Sequence, residues 1–221
     1  MPGKFLGKPA FWVGLLLVSY FSASLGAQGL ESTDLRLVNE RPNPSCDPTI
    51  VTFGIYIFDI DEIDDVNQRF SLDMFTIITW HDPRMALPED ERVGRIRSLP
   101  LDGIWAPLGL IVNDRGLSRQ LPRTANIDDL GNVVYRQRLS GELAVALELK
   151  EFPFDKQRLP IDFVSYQHSP DEIRFSVNAD IRGDPELFSA AGWQLQIVEP
   201  EYGEFTVPAA GLVRPLSLIH I

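Results

Sequence analysis

Glu151-Phe152-Pro153-Phe154-Asp155-Lys156-Gln157-Arg158-Leu159, running on to Tyr166, reads as a loop that turns into a strand. Pro153 offers no backbone donor to a central strand and holds Phe152 in extended geometry, so the two rings project on a loop. Alternation resumes at Leu159, Ile161, Phe163 and Ser165, with Asp162 and Val164 on the other face. Rings presented in this way mark a docking surface; the competing reading is an ordinary turn whose rings fold back onto the core.

Working outward, the same two-residue period recurs. Upstream, Leu143, Val145, Leu147 and Leu149 alternate into the loop, and before them Val133, Tyr135 and Gln137 face one way while Val134, Arg136 and Arg138 face the other. These two runs predict a hairpin, entered through the turn signal Asp128-Asp129-Leu130-Gly131-Asn132. From Phe70 to Trp80, Phe70, Leu72, Met74, Thr76, Ile78 and Trp80 share the core face, which leaves Phe75 on the polar face among Asp73 and Thr79. Residues 49–60 are apolar on both faces, as in a strand buried on both sides or one lining a contact between subunits. Trp193, Leu195 and Ile197 alternate into a further strand, residues 200–211 read as a long hairpin tip, and residues 212–221 return. The expected fold is all-β: an immunoglobulin-like β-sandwich of about ten strands with a short N-terminal helix.

Residues 1–27 carry Lys4 and Lys8, an apolar run from Ala10 to Phe21 and small residues up to Ala27, the layout of a secretory signal. Residues 28–48, with Pro42, Pro44 and Pro48, form an N-terminal arm, and residues 49–221 the sandwich. Removing the signal takes away two lysines and no acids, so the formal charge of −11 becomes about −13. That excludes a nucleic-acid partner, which needs a basic face, and suits a vestibule that gathers cations or simply a soluble surface. The single thiol, Cys46, cannot close a bridge within the chain.

Enzyme chemistry finds no foothold. His81, His168 and His220 lie in unrelated segments, and neither a nucleophile elbow nor a phosphate-cradling glycine loop occurs. No catalytic residue, resident metal or cofactor is therefore expected. The acidic stretch around Asp59, Asp61 and Asp64 lacks the central glycine of a calcium loop, and the twelfth residue counted from Asp59 is Phe70. A solvated hairpin tip and a looser divalent site remain the two readings. A carbohydrate-binding sandwich would need Trp80, Trp105 and Trp193 as exposed stacking platforms.

Three motifs agree in order and spacing. They are the Phe-Pro-Phe-Asp loop at Phe152 to Asp155, the run Trp80-His81-Asp82-Pro83-Arg84-Met85, and Ile104-Trp105-Ala106-Pro107. Together they resemble the pentameric ligand-gated ion channels, the Cys-loop receptor superfamily, over residues 49–221. Met85 stands where leucine is usual and Leu108 where aspartate is usual. The cysteines that close the loop in animal receptors would fall on Ala144 and Leu159, and are absent as in the prokaryotic branch.

The resemblance implies an extracellular or periplasmic ligand-binding domain of a homopentamer, exported and held at the cell membrane by a bundle carried beyond Ile221. The alternative is a secreted sandwich that binds ligand without a channel. It also implies a small-molecule agonist, such as an amine, boxed by rings between subunits. Phe75 and Tyr135 would serve the complementary side, Tyr166 the principal side, and Tyr202 and Phe205 the capping hairpin. Val112 stands at a fourth ring position, and an anionic ligand held by Arg136 or Arg138 is the other option. The Asp61-Glu62 loop and Phe152, Pro153, Phe154 and Asp155 would couple binding to the pore.

Overall fold

A computed structural model describes residues 37–44, 47–148, 156–177, 182–207 and 211–220. Residues 37–39 form a short helical turn. Twelve strands follow among the described residues: β1 (Thr49–Asp64), β2 (Arg69–His81), β3 (Arg97–Pro100), β4 (Gly109–Ile111), β5 (Ser118–Arg119), β6 (Thr124–Ile127), β7 (Asn132–Ala144), β8 (Pro160–Ser165), β9 (Ile173–Val177), β10 (Arg182–Gly183), β11 (Val198–Val207) and β12 (Leu212–His220). The larger sheet runs β10-β1-β2-β7-β6-β3, with β5 also on β7 and β9 also on β1. The smaller runs β11-β12-β8-β4. The all-β sandwich expected from the alternation is the observed architecture.

The core lies between the sheets, and strand phase explains its membership. On β2 every even residue from Phe70 to Trp80 is buried and every odd one is partly open. The rings of Phe53 on β1 and Phe163 on β8 stack at 4.0 Å across the gap, and Trp80 meets Trp105 edge-on at 6.1 Å. Each fully buried large side chain contributes about 1.5–3 kcal/mol of transfer free energy. With Trp80 and Trp105 both in this core, only Trp193 of the three platforms that a carbohydrate-binding sandwich would need is open.

The strand at residues 49–60 is not buried on both sides within one chain. Val51, Phe53, Ile55 and Ile57 are covered, whereas Ile50, Tyr56 and Phe58 are exposed. A bulge between Ile57 and Asp59 inserts an extra residue and shifts the phase, which returns Ile60 to the core.

In place of the hairpin expected between residues 133–139 and 143–149, one strand, β7, continues past Leu139 to Ala144, and residues 145–148 lie outside any strand. β7 pairs with β2 without interruption from Asn132 to Ala144, because Val133, Tyr135, Gln137, Leu139 and Leu143 keep one parity throughout. Gly141 takes φ +141°, and a Cβ there would stand 2.5 Å from the carbonyl oxygen of Gly116, so the backbone of the 114–117 turn can lie against it.

Residues 193–197 are not a strand; pairing begins at Val198, and residues 200–207 belong to β11 instead of a loop tip. β11 is the outer strand of its sheet and is exposed along most of its length.

The motif Trp80 to Arg84 is an anchor. Asp82, almost wholly buried, accepts from the Arg84 guanidinium at 2.9 and 2.7 Å, and Arg84 Nη1 reaches back to the Glu40 carbonyl at 2.9 Å. A forked charge-assisted pair of this kind ties the N-terminal arm to the end of β2.

Candidate ligand-binding faces

Two surfaces carry the candidate side chains. On the outward face of the larger sheet, Tyr56, Phe75 and Arg138 form one row across β1, β2 and β7. Arg138 donates from Nε to Asp73 at 3.0 Å and from Nη2 to its other oxygen, and its Cζ sits 5.0 Å above the Phe58 ring. The Asp73 carboxylate pushes the Arg138 guanidinium further above its ordinary range. Tyr56 and Phe58 meet edge to face at 5.0 Å. An open cavity of about 290 Å³ adjoins this row, between Tyr56, Ile77, Thr79 and Arg182. Arg136, opposite Ile77, shares the face.

The second surface is the outward side of the smaller sheet. Tyr166 follows the buried Ser165 at the end of β8 and is 47% exposed, and its carbonyl accepts from Arg214 Nε at 2.8 Å. Phe205 lies opposite Arg214 in the β11–β12 ladder, so Tyr166, Arg214 and Phe205 share a side. Tyr202 lies opposite Ser217 and, three residues from Phe205, points to the other face. Tyr135, opposite Ile78, is on the inter-sheet face, the reverse of the one that carries Phe75.

Behind Tyr166 the chain turns through His168, whose ring lies 5.4 Å from Trp105 and 3.9 Å from the Glu172 carboxylate. Burial pushes the imidazole below its ordinary value; Glu172 works against this, and Arg214 and Arg41 add to it. The Ser169 backbone N–H holds Glu172 below the usual carboxylate range, helped by the Ser169 hydroxyl.

At the opposite end, Asp61 and Glu62 are exposed near the end of β1, and the hairpin tip itself is residues 65–68. Asn67 donates from its side chain and backbone to Asp64, and with Arg69 it brings that carboxyl down to about 2. Asp59 accepts from the Ser189 backbone and hydroxyl at 2.7 and 2.8 Å, and among the described residues no acidic or histidine cluster of metal-ligating geometry occurs.

Phe152, Pro153, Phe154 and Asp155 lie outside the described residues, but the neck of their loop is described. Gln157 exchanges two hydrogen bonds with the Glu148 backbone, at 2.9 and 2.7 Å. Asn113 Nδ2 donates to the carbonyls of Ala144 at 2.9 Å and Pro160 at 2.8 Å. Gln68 of the hairpin tip accepts from the backbone N–H groups of Val145 and Leu147, which joins that tip to the chain entering the loop.

The arrangement presents aromatic and cationic groups on two outward surfaces, and suits binding. Reading the sequence missed Asn113 and Gln68; their signal is a polar residue at a turn, which is common to many loops.

Comparison with known proteins places these surfaces in context. A family model described as the neurotransmitter-gated ion-channel ligand binding domain matches residues 37–200. The chain is 28% identical over 139 residues to the human gamma-aminobutyric acid receptor subunit gamma-1, covering 61% of this chain and 30% of that one. It is 26% identical over 137 residues to the mouse subunit gamma-3, covering 60% and 29%. With the proton-gated ion channel of Gloeobacter violaceus it is 25% identical over 165 residues, covering 72% and 45%. The matched region spans less than half the length of each of these relatives. Among the described residues no helix is long and apolar enough to cross a membrane.

Proposed function

Since this chain belongs to the family of neurotransmitter-gated ion-channel ligand binding domains, we propose that it is the exported ligand-binding domain of a prokaryotic pentameric channel. In this reading five copies form a ring, and a small agonist such as an amine binds where neighbours meet. Binding favours one quaternary arrangement over another by differential affinity. Phe75 supplies the complementary wall, Tyr166 the principal wall and Phe205 the capping hairpin, while Tyr202 on that hairpin faces the other way. The Asp61-Glu62 stretch and the Phe152 to Asp155 loop then pass the shift to a membrane pore.

The observation that carries this is the placement of Phe75 and Tyr166 on outward faces of different sheets. They do not meet within one copy, so a box that uses both needs a neighbour. The exposed aromatic row of Tyr56 and Phe58 beside Phe75 fits a surface that a neighbour covers. The Gln68 bridge supports joint movement of the two coupling loops.

Native mass spectrometry of the chain tests the ring, with five copies expected. Fluorescence titration with tetramethylammonium tests the box: Phe75→Ala and Tyr166→Ala should each weaken binding about 10- to 100-fold, as loss of a cation–π wall does, with circular dichroism unchanged. A chain that stays monomeric at high concentration, or binding indifferent to both substitutions, overturns the reading.

A further inference from the structure

Between the two sheets, at the edge where β4 stands near β5, lies a cavity of about 60 Å³. It is separate from the faces of the proposed box, because its walls are the inter-sheet sides of strands whose outward sides carry Phe75 and Tyr166. The Phe53 and Phe163 rings, stacked in parallel, form one wall. Ile78, Ile111 and Leu139, each less than a tenth exposed, line it beside them.

The polar groups at its side are largely spent on one another. Thr76 gives its hydroxyl to the Gln137 carbonyl at 3.2 Å. The Gln137 amide serves the backbone of Leu121 in both directions and donates to the Tyr135 hydroxyl oxygen at 3.2 Å. The hydroxyl hydrogen of Tyr135 thus has no acceptor among the described residues. At the mouth stand Asp114 and Arg119, of opposite sign, so the entrance carries no net charge to select an ion.

A cavity of this size has room for on the order of four water-sized groups, and apolar walls favour an apolar occupant over water. We propose that it is a binding site for a small neutral molecule with an apolar body and one hydrogen-bond acceptor, of the class of short-chain ketones and alcohols, which accepts from Tyr135. Such an occupant touches Phe163 on β8, the strand that leads into Tyr166, and Leu139 on β7, next to Arg138.

Methyl-labelled full-length chain titrated with propanone tests this by NMR. Saturable shifts are expected at the methyls of Ile78, Ile111 and Leu139. Ile111→Phe, which fills the space, should abolish them, and Tyr135→Phe should weaken binding about fivefold while leaving the fold intact. Cyclohexanone, too bulky for the cavity, should give no such shifts in the unmodified chain, a control that needs no variant. Shifts that do not saturate, that survive Ile111→Phe, that ignore Tyr135→Phe or that appear equally with cyclohexanone overturn the proposal. A site intact in chains that do not assemble into a ring separates it from the proposed function.

Discussion

At the scale of single residues, Asn113 is a clasp. Its amide joins the carbonyls of Ala144 and Pro160, and its own carbonyl oxygen accepts from Asp162 N–H at 3.3 Å. These strands flank the Phe-Pro-Phe loop beside Ala144 and Leu159, where animal receptors of the resembled family place a disulfide. Asn113→Ala leaves two carbonyls without their donor and should cost about 2–4 kcal/mol in urea unfolding, the order of a disulfide closing a short loop. None of this is legible in the sequence, because the partners lie 31, 47 and 49 residues away. Phe75, in contrast, was legible, since its own strand fixes its phase. His168 gives a pH prediction. Its folded value is depressed below 6.5, so the stability of its neutral form is present above that pH and is lost as pH falls through the lowered value. Glu172 titrates lower, from below 4.5. The urea midpoint of the native chain should therefore drop from pH 7 to pH 5, and His168→Gln should flatten that slope.

Among the elements, β2 was the most readable because its buried and open residues alternate without a break. β1 was less so: a bulge at Phe58 changes its phase midway, and neighbouring side chains do not announce an inserted residue. β7 looked like two strands because Gly141 sits where a turn would, yet the parity on either side is unbroken. Gly141→Val should destabilise by about 1–3 kcal/mol, measured by thermal unfolding, since φ +141° is strained for a side chain. The close approach to the Gly116 carbonyl adds to that cost. Of the β11–β12 ribbon only the returning strand was legible; the outgoing strand was expected at 193–197, and the rings of β11 were assigned to a tip. Strand pairing puts Tyr202 and Phe205 on opposite faces, so only Phe205 shares the Tyr166 side.

For the whole molecule, the sandwich was legible from alternation and the family from three motifs. The candidate residues were legible only in part, because strand pairing divides them between outward faces of two different sheets. Acidic composition also has a local expression. Among the described residues β11 is the outer strand of its sheet over ten residues, with no described strand on its far edge, a template on which another chain could add. Glu199, Glu201 and Glu204 punctuate that strand, with Pro200 removing one donor. These charges act as gatekeepers against sheet-to-sheet fibre growth. Replacing all three glutamates with glutamine should leave the monomer's circular dichroism unchanged and yet make concentrated solutions turn turbid and bind thioflavin, which the unmodified chain resists.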